Sequence, residues 1–401
     1  MKKIFTTFLV VSCIMAAACT RTESMEDLTE RVFTRAAEQM ALLDSNLDAA
    51  GFGADAALCP RYADQEGNLV TSSIWWWCSG FYPGSLWLVY EYTGDENMKA
   101  LAEKHTVVLD SIRLRTNDHD VGFQLNCSYG NGYRLTGNPE YKDVLCDGAH
   151  SLATRFNPAV GCLRSWDPAP DHIAAWKFPV IIDNMMNLEL LLKASQLCGD
   201  DSLRTVAESH AMTTMKNHFR DDASSFHLVD YDPVTGDVLV QQTVQGFADW
   251  SAWSRGQAWG LYGFTMMYQY TGGRQYLDHA VKIAEYLLPR LPEDGVPYWD
   301  FDSDEIPDDL RDASAGAIMA SALVQLSTYV PDASAEKYLS AAERILRTLA
   351  SDEYMSAPGE ECGFLLKHSV GNKPGGVEVD VPLTYSDYYF LEALLRYRDL
   401  R

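Results

Sequence analysis

The feature that most limits the fold of this chain is a helical repeat. Five times an apolar helical segment ends in a tight turn and a second, more charged helical segment follows: LVYEYTGDENMKALAEK, YRLTGNPEYKDVL, LKASQLCGDDSLRTVAE, MYQYTGGRQYLDHAVKIAEYL and LSTYVPDASAEKYLSAAERIL. The turns carry helix stop signals and helix caps, namely Gly94, Gly137, Gly199, Gly272 and Pro331 as stops, with Asp95, Asn138 and Asp200 as caps. The repeat therefore predicts helices that alternate between an inner and an outer type.

The helical periodicity predicts twelve helices in the whole chain. They span residues 25–47, 79–93, 97–114, 122–136, 139–152, 183–197, 202–219, 253–271, 274–288, 313–329, 334–350 and 384–398. Six antiparallel pairs, each burying one face on its neighbours, favour a closed ring over a small bundle. The predicted fold class is all-α, an (α/α)6 barrel.

Long connections precede the inner helices of this predicted barrel. They cover residues 155–182, 220–252, 289–312 and 351–383, and residues 233–240 resemble a small hairpin within one of them. Long loops on a rigid scaffold are common places for binding and catalysis. We therefore expect the functional site at the end of the barrel where the inner helices begin.

The N-terminus has the pattern of a bacterial secretory signal. Residues 1–18 combine two lysines, an apolar run and three alanines, and Cys19 follows directly. We expect cleavage before Cys19, lipidation of its sulfur, a short tether over residues 19–24 and a single (α/α)6 domain over residues 25–401. An ordinary signal with an incidental cysteine is the alternative. Either reading places the protein in the bacterial cell envelope, lipid-anchored or soluble in the periplasm.

Composition excludes several classes of partner. The formal net charge is −24 and no basic tract offsets it, which argues against nucleic acid and against an anionic lipid surface, so the predicted membrane contact is the lipid anchor alone. No Walker loop, HExxH or GxGxxG sequence is present, so we expect no metal and no organic cofactor. We expect a monomer or a weak homo-oligomer.

The remaining cysteines give no clear covalent framework. They are an odd, widely spaced set: Cys59, Cys78, Cys127, Cys146, Cys162, Cys198 and Cys362. The spacing matches neither a disulfide pattern nor a CxxC zinc pattern. We expect most of them to be small buried hydrophobic residues.

Unusual residues stand at the starts of the inner helices. They form the groups Trp75 to Phe81, His119 to Phe123, Asp183 with Asn184, Trp250 to Trp259, and Tyr385 to Tyr389. Aromatic rings cover the apolar faces of a sugar while carboxyl groups exchange protons, so this combination suits a carbohydrate site. Taken singly, each tryptophan also suits the core.

Asp183 opens the most apolar of these helices and has two interpretations. Its carboxylate can cap the helix by accepting hydrogen bonds from exposed backbone amides. Alternatively it is a partly buried acid with a raised pKa, because apolar surroundings disfavour the charged form. Only the second interpretation provides a proton donor.

Four segments resemble glycoside hydrolase family 88, the unsaturated glucuronyl hydrolases. The segments are DVGFQLNCSYGNGYRLTGNPEY, VIIDNMMNLELL, WSRGQAWGLYGFTMMYQYTG and YSDYYFLEALL, and the resemblance runs from about Trp77 to the C-terminus. It implies an (α/α)6 barrel that acts on oligosaccharides left by polysaccharide lyases. The implied reaction hydrates the C4=C5 vinyl ether of a terminal 4,5-unsaturated uronic acid, glycosaminoglycan type, and releases the aglycone sugar.

The resemblance also implies residue roles. Asp183 would protonate C4 and help water add at C5, and Asp120 would assist it and hold ring hydroxyls. Arg255 would hold the carboxylate of the substrate. The implied substrate-binding residues are Trp77, His119, Asn184, His227, Gln245, Arg255, Trp259, Ser369 and Lys373. Lys373 would favour sulfated fragments, with a solvated surface lysine as the alternative.

Two other functions fit parts of the pattern. An unsaturated rhamnogalacturonyl hydrolase shares the barrel and the principal acid but cuts pectin fragments, and the retained Asp120 favours the glucuronyl interpretation. A non-catalytic sugar-binding lipoprotein would keep the barrel without the chemistry. The presence of both Asp120 and Asp183 argues against it.

Overall fold

A computed structural model describes residues 23–53, 58–167 and 176–400. The predicted signal peptide and Cys19 lie outside the described residues. Within the described part of the chain, no helix is long and apolar enough to cross a membrane.

The described residues form thirteen α-helices. In chain order they are α1 (Met25–Ala49), α2 (Phe81–Thr93), α3 (Glu96–Val107), α4 (Val121–Leu125), α5 (Asn131–Thr136), α6 (Pro139–Ala153), α7 (Asn184–Cys198), α8 (Asp201–Asn217), α9 (Ser254–Thr271), α10 (Arg274–Leu287), α11 (Ala313–Ser327), α12 (Asp332–Leu349) and α13 (Thr384–Asp399). A π-helical turn, Asn126–Gly130, joins α4 to α5. These two therefore make one helical unit, and the twelve predicted units are confirmed.

The helices close into a double ring. The inner ring runs from α2 to the α4–α5 unit, then α7, α9, α11 and α13, and α13 returns to α2. Each inner helix also packs against an outer one, which gives the pairs α2 with α3, α4–α5 with α6, α7 with α8, α9 with α10, α11 with α12, and α13 with α1. This is the predicted (α/α)6 barrel.

The turns within the helix pairs follow the predicted chemistry. The first four turns place a glycine in the left-handed region after the inner helix, with φ of 67° at Gly94 and Gly137, 71° at Gly199 and 69° at Gly272. Gly94 donates its backbone N–H to the carbonyl of Tyr90, which satisfies the helix end. A residue without a side chain adopts this conformation without steric cost.

Short strands lie in the connections between the barrel helices. They are β1 (Leu58–Ala63), β2 (Leu69–Ser73), β3 (Phe156–Asn157), β4 (Cys162–Leu163), β5 (Pro179–Ile181), β6 (Leu228–Tyr231), β7 (Val238–Gln242), β8 (Ser369–Asn372) and β9 (Val377–Val381). All pairings are antiparallel: β1 with β2, β3 with β4, β8 with β9, and a three-stranded sheet in the order β5-β6-β7. The hairpin expected around residues 233–240 is the β6–β7 hairpin.

One expectation about the cysteines is wrong. Cys146 on α6 and Cys198 at the end of α7 form a disulfide, with 6.3 Å between their Cα atoms. The two residues lie 52 positions apart, and only the packing of α6 against α7 brings them together. Four of the other five, namely Cys59, Cys78, Cys127 and Cys162, are buried free thiols as expected.

Glycines let the inner helices approach closely. Gly122 on α4 faces Asn187 on α7, and a Cβ at position 122 would lie 2.5 Å from the Cα of Asn187. That contact involves backbone, so the clash cannot be relieved by a side-chain rotation. The spacing of α4 and α7 therefore requires glycine at this position.

We predict that Gly122→Ala destabilises the protein by about 1–3 kcal/mol, because an added methyl group must push two inner helices apart. The control is Gly316→Ala on α11, where a Cβ would meet no atom closer than 3.5 Å. Gly316→Ala should stabilise the protein by about 0.4–1 kcal/mol, because alanine has fewer conformations available than glycine in the unfolded chain. Urea unfolding of both variants measures the difference, and equal free energies of unfolding would contradict the packing argument.

Candidate active site

One deep cavity lies where the inner helices begin. Its volume is about 960 Å³. The segments preceding four inner helices contribute to its wall, through Trp77 before α2, Asp120 before α4, Asp183 before α7 and Gln245 before α9, and Tyr385 of α13 completes it. The loops and hairpins add further lining residues, including Arg61, Trp166, Trp176, Asn372 and Glu378.

Asp183 is buried on this wall without a partner for one of its oxygens. It stands at the N-cap position of α7, yet its side chain accepts no capping hydrogen bond. Its Oδ2 atom has no hydrogen-bond partner in the described part of the chain, and the residue is only 8% exposed. The capping interpretation of Asp183 is therefore not what the structure shows.

Burial is the main influence on the acidity of Asp183. It raises the pKa to about 6, and nearby Asp120 raises it further, while the positive charge of Arg255 acts in the opposite direction. A carboxyl group with this pKa is protonated in a useful fraction of molecules at mildly acidic pH. Asp183 can thus donate a proton to a ligand in the cavity.

His227 lies behind Asp183 because of the small sheet. β5 pairs with β6 and runs directly into α7, and the backbone N–H of Ile182 donates to the carbonyl of His227. The Nδ1 atom of His227 accepts a hydrogen bond from the N–H of Val244, so the proton of a neutral ring sits on Nε2. Nε2 lies 3.8 Å from Oδ2 of Asp183. Burial lowers the pKa of His227 to about 3, which keeps the ring neutral.

Asp120 is the second acid of the cavity. Asn187 on α7 donates to its Oδ1 at 3.2 Å and accepts from the backbone N–H of Phe123, so one amide joins α4 to α7. Burial raises the pKa of Asp120 well above its ordinary value, and the neighbouring charge of Asp118 adds to that rise. Sequence analysis did not assign Asn187 a place in the site, although its position one turn after Asp183 is a usable signal.

His119 lies buried beside Asp120 and is not among the residues that line the described cavity. Its Nε2 atom lies 3.5 Å from Oδ2 of Asp120, and burial lowers the pKa of the ring to about 4. Asp118 brings a third potential metal ligand within 4.8 Å of these two residues. The carboxylate of Asp118 is already paired with Arg115, so the positive charge beside it comes from that arginine.

Arg255 reaches the cavity with most of its donors in use. Its NH1 group donates to Asp312 at 3.2 Å and to the carbonyl of Val370, and its NH2 group donates to the carbonyl of Gly371 at 2.6 Å. Its Nε has no partner in the described residues. The hydrogen bonds that Arg255 was expected to donate to a ligand carboxylate therefore go largely to the protein. Its positive charge acts on Asp183 instead.

The two tryptophans that the resemblance implies as substrate-binding residues differ in position. Trp77 lines the cavity, whereas Trp259 is fully buried between Phe123 and Tyr389 and does not. The structure therefore corrects the expectation for Trp259. Trp75 and Trp76 also line the cavity.

Two lining tryptophans escaped sequence analysis. The rings of Trp166 and Trp176 face each other with centroids 5.6 Å apart, on the connection before α7. Their position in a long loop that leads into an inner helix is the signal that could have identified them.

Other expected residues lie at different depths. Gln245 lines the cavity and donates to the carbonyl of Gly371 at 3.1 Å. Asn184 and Ser369 are fully buried behind the wall, where Asn184 donates to the carbonyl of Leu163 and Ser369 shares a hydrogen bond with Ser386. Neither lines the described cavity, so direct ligand contact is not what their positions favour.

Lys373 is not among the residues that line the described cavity. Its ammonium group binds Glu305 at 2.8 Å and also Asp309, and it lies over the ring of Trp299. The expectation that Lys373 contacts a sulfate stays a prediction, and such a sulfate would compete with two carboxylates for the ammonium group.

Comparison with known proteins identifies the family. The sequence profile of Glycosyl Hydrolase Family 88 matches residues 57–393. The chain belongs to glycoside hydrolase family 88. It is 46% identical over 327 residues to the unsaturated glucuronyl hydrolase of Formosa agariphila, a match that covers 81% of this chain and 80% of that protein. The resemblance noted in the four sequence segments is confirmed, and the chain is a glycoside hydrolase.

Solved structures of family 88 have the same barrel. An unsaturated glucuronyl hydrolase specific for heparin superposes with a TM-score of 0.88 and 45% sequence identity, covering 94% of this chain and 98% of that chain. An Asp-to-Asn mutant of the Streptococcus agalactiae enzyme, complexed with dGlcA-GalNAc6S, superposes with a TM-score of 0.79 and 31% identity, covering 95% and 94% of the two chains. The family-88 barrel is therefore shared along nearly the whole described chain.

Proposed function

We propose that this chain is an unsaturated glucuronyl hydrolase that hydrates the vinyl ether of a terminal 4,5-unsaturated uronate in glycosaminoglycan-type oligosaccharides. The observation that carries the proposal is the state of Asp183, a buried acid with a pKa near 6 and an unpartnered oxygen on the cavity wall. An enol-ether carbon accepts a proton from such an acid. Ordinary glycosidases instead use two carboxyl groups at the anomeric carbon.

The reaction follows from this acid. Asp183 transfers its proton to C4, the double-bond electrons form the new C4–H bond, and the ring oxygen stabilises positive charge at C5. Water adds at C5 while the Asp183 carboxylate takes its proton, which restores the acid. The resulting hemiketal opens by breaking the bond between C5 and the ring oxygen. The hemiacetal left at C1 then releases the aglycone sugar.

The surroundings of Asp183 support these steps. Asp120, held by Asn187, stands close enough to raise the pKa of Asp183 and offers oxygens for ring hydroxyls. His227 directs a neutral N–H toward Asp183. Tryptophan rings on the wall suit the apolar face of a sugar.

The related proteins favour the glucuronyl activity over the alternatives. The relatives carry the names unsaturated glucuronyl hydrolase and unsaturated chondroitin disaccharide hydrolase. They count against the pectin-directed enzyme and against a binding protein without activity. To rank the substrates, the enzyme is incubated with heparin-type, chondroitin-type and pectin-type unsaturated disaccharides. The loss of the ultraviolet absorbance of the double bond then gives the rate for each. Faster loss from the pectin-type disaccharide would reverse the assignment.

We predict that Asp183→Asn lowers kcat by about 10²–10⁴-fold, the usual contribution of a positioned acid. The amide keeps the size and hydrogen bonding of the side chain but has no acidic proton, so binding of the disaccharide should persist. Absorbance assays give turnover, and calorimetry gives binding. Asp278→Asn, on the surface of α10, makes the same chemical change away from the cavity and serves as the control. Turnover near that of the unmodified enzyme would show that another group is the acid.

We predict that kcat/KM falls as pH rises through about 6. The pKa of Asp183 is raised to about 6, so its protonated, active form decreases about tenfold for each pH unit above that value. Initial rates between pH 5 and 8 at constant ionic strength test this descent. A profile that stays flat over this interval would contradict a proton donor with this pKa.

We also propose export and lipid anchoring through Cys19, with the folded domain in the bacterial cell envelope. The signal-like composition of residues 1–18 supports this, and the Cys146–Cys198 disulfide suits an oxidising compartment. Cys19→Ser should move the protein from the membrane fraction to the soluble fraction, because the acylated sulfur is lost. Cys13→Ser, in the segment expected to be removed, should leave the distribution unchanged. Recovery of the unmodified protein in the cytosol, with residues 1–18 attached, would contradict export.

A further inference from the structure

Three arginines line the described part of the cavity, and they differ in how many donors remain free. Arg61, Arg115 and Arg255 are these residues. In a chain of net charge −24, a free cation in the cavity decides which anionic groups a ligand can carry there. The hydrogen bonds of each guanidinium show which arginine is available.

Arg115 and Arg255 are largely occupied by the protein. Arg115 donates through Nε to Asn117, through NH1 to the carbonyl of Trp75 and to Gln124, and through NH2 to Asp118. Arg255 uses both terminal nitrogens on Asp312 and on two backbone carbonyls of β8. Every terminal nitrogen of these two guanidinium groups already donates at least one hydrogen bond to the protein, so neither residue offers a ligand a fork with both terminal nitrogens unbound.

Arg61 on β1 donates a single side-chain hydrogen bond among the described residues. Its Nε donates to Glu378 on β9, and its guanidinium lies 4.0 Å from the ring centre of Trp76. No described residue accepts a hydrogen bond from its two terminal nitrogens, and its side chain is 20% exposed. The stack and the Glu378 contact therefore fix the plane of the guanidinium while its fork stays open to the cavity.

Arg61 and Arg255 are bound to different strands of the β8–β9 hairpin. Arg255, which acts electrostatically on Asp183, binds the β8 backbone, whereas Arg61 binds Glu378 on β9. The Glu378 side chain lies directly against Gly371 of β8, where a Cβ would come within 2.3 Å of it. The two arginines thus bind opposite strands of one hairpin, and Arg61 is not among the charges that act most strongly on Asp183. Both observations fit a position for Arg61 beside the sugar beyond the uronate.

The backbone at Glu378 indicates that this position is constrained. Its φ is +56°, a left-handed conformation that costs a non-glycine residue energy, and the side chain is nearly buried. Strained positions of this kind persist where the surrounding structure fixes them, often at ligand sites. Here the constraint holds the carboxylate under Arg61.

We propose that Arg61 determines specificity by binding a sulfate group on the aglycone sugar through its two terminal nitrogens. A planar guanidinium fork matches the oxygens of a tetrahedral anion and binds them by charge-assisted hydrogen bonds. The inference rests on the proposed function, because it assumes that the uronate occupies the Asp183 end of the cavity. It assigns to Arg61 the contact that sequence analysis expected of Lys373.

The test compares three unsaturated disaccharides: unsulfated, sulfated on the aglycone sugar, and sulfated on the uronate. Arg61→Gln should lower kcat/KM for the aglycone-sulfated substrate by about 10–100-fold, mainly through KM, as expected for lost hydrogen bonds to a charged group. The same variant should leave the other two substrates little changed. Arg61→Lys keeps the positive charge but lacks the planar fork of two terminal nitrogens. Its kcat/KM for the aglycone-sulfated disaccharide should lie between the values of the unmodified enzyme and of Arg61→Gln.

Two controls separate recognition from indirect effects. Arg61→Gln leaves the Glu378 carboxylate unpaired, so the double variant Arg61→Gln/Glu378→Gln removes both charges, and the selective loss should remain. Arg134→Gln breaks another arginine–glutamate pair, on α5 and away from the cavity, and should not change the substrate ranking. Three results would overturn the assignment. They are a recovered kcat/KM for the aglycone-sulfated disaccharide in the double variant, an equal loss of kcat/KM on all three substrates, and a loss confined to the uronate-sulfated substrate.

Binding in the Asp183→Asn background keeps this test independent of turnover. Calorimetry with the aglycone-sulfated disaccharide should show about 10–100-fold weaker binding when Arg61→Gln is added. Unchanged affinity would overturn the role of Arg61 even in an active enzyme. If the unmodified enzyme binds these disaccharides but consumes none of them, the proposed function fails while the binding comparison still decides the role of Arg61.

Discussion

The chemistry of this protein depends on the removal of water from the Asp183 carboxyl group. A carboxylate at the start of a helix is normally stabilised by the helix dipole, an effect of about 0.3–1 kcal/mol, which is less than one pKa unit. Burial of a carboxyl group can raise its pKa by up to about 3–5 units. Burial therefore exceeds the dipole at Asp183, and the positive charge of Arg255 only limits the rise, to a pKa of about 6.

The closed helical ring explains how a single acid is kept in this state. α7 belongs to the inner ring, so its first residues lie at the barrel mouth, between the α4–α5 unit and α9. Gly122 allows α4 to approach α7, and Asn187 then bonds both to the α4 backbone and to Asp120. The position of the second acid thus follows from helix packing. A change in the spacing of these helices would alter the pair of acids before it altered the fold.

Sequence patterns predicted the barrel well because its determinants are local. Helix periodicity, glycines after inner helices and caps before outer ones act within a few residues of each other, and they were sufficient for all twelve helical units. The placement of Asp183 and Asp120 on the cavity wall followed from the same reasoning, since residues that begin inner helices meet at one end, whereas Gln245 was expected there from the family resemblance.

Tertiary partners, by contrast, were not visible in the sequence. Lys373 resembles a free cation until Glu305 and Asp309, more than sixty residues earlier in the chain, are brought beside it. The Cys146–Cys198 disulfide likewise depends on the packing of α6 against α7. Arg61 precedes the resembling segments, and its significance appears only once the hydrogen bonds of every cavity arginine are compared.

The acidic balance of the chain raises a final physical question, which is how it admits an anionic substrate. Desolvation raises the pKa of both Asp183 and Asp120, so near pH 6 the reacting end of the cavity carries less negative charge than its sequence suggests. Arg115 neutralises Asp118 at the edge of the same region. The acidity needed for proton transfer and the reduced repulsion of a uronate therefore have one cause, the exclusion of water. Repulsion grows as these acids ionise, so the same rise in pH that removes the proton donor also weakens the attraction for the substrate.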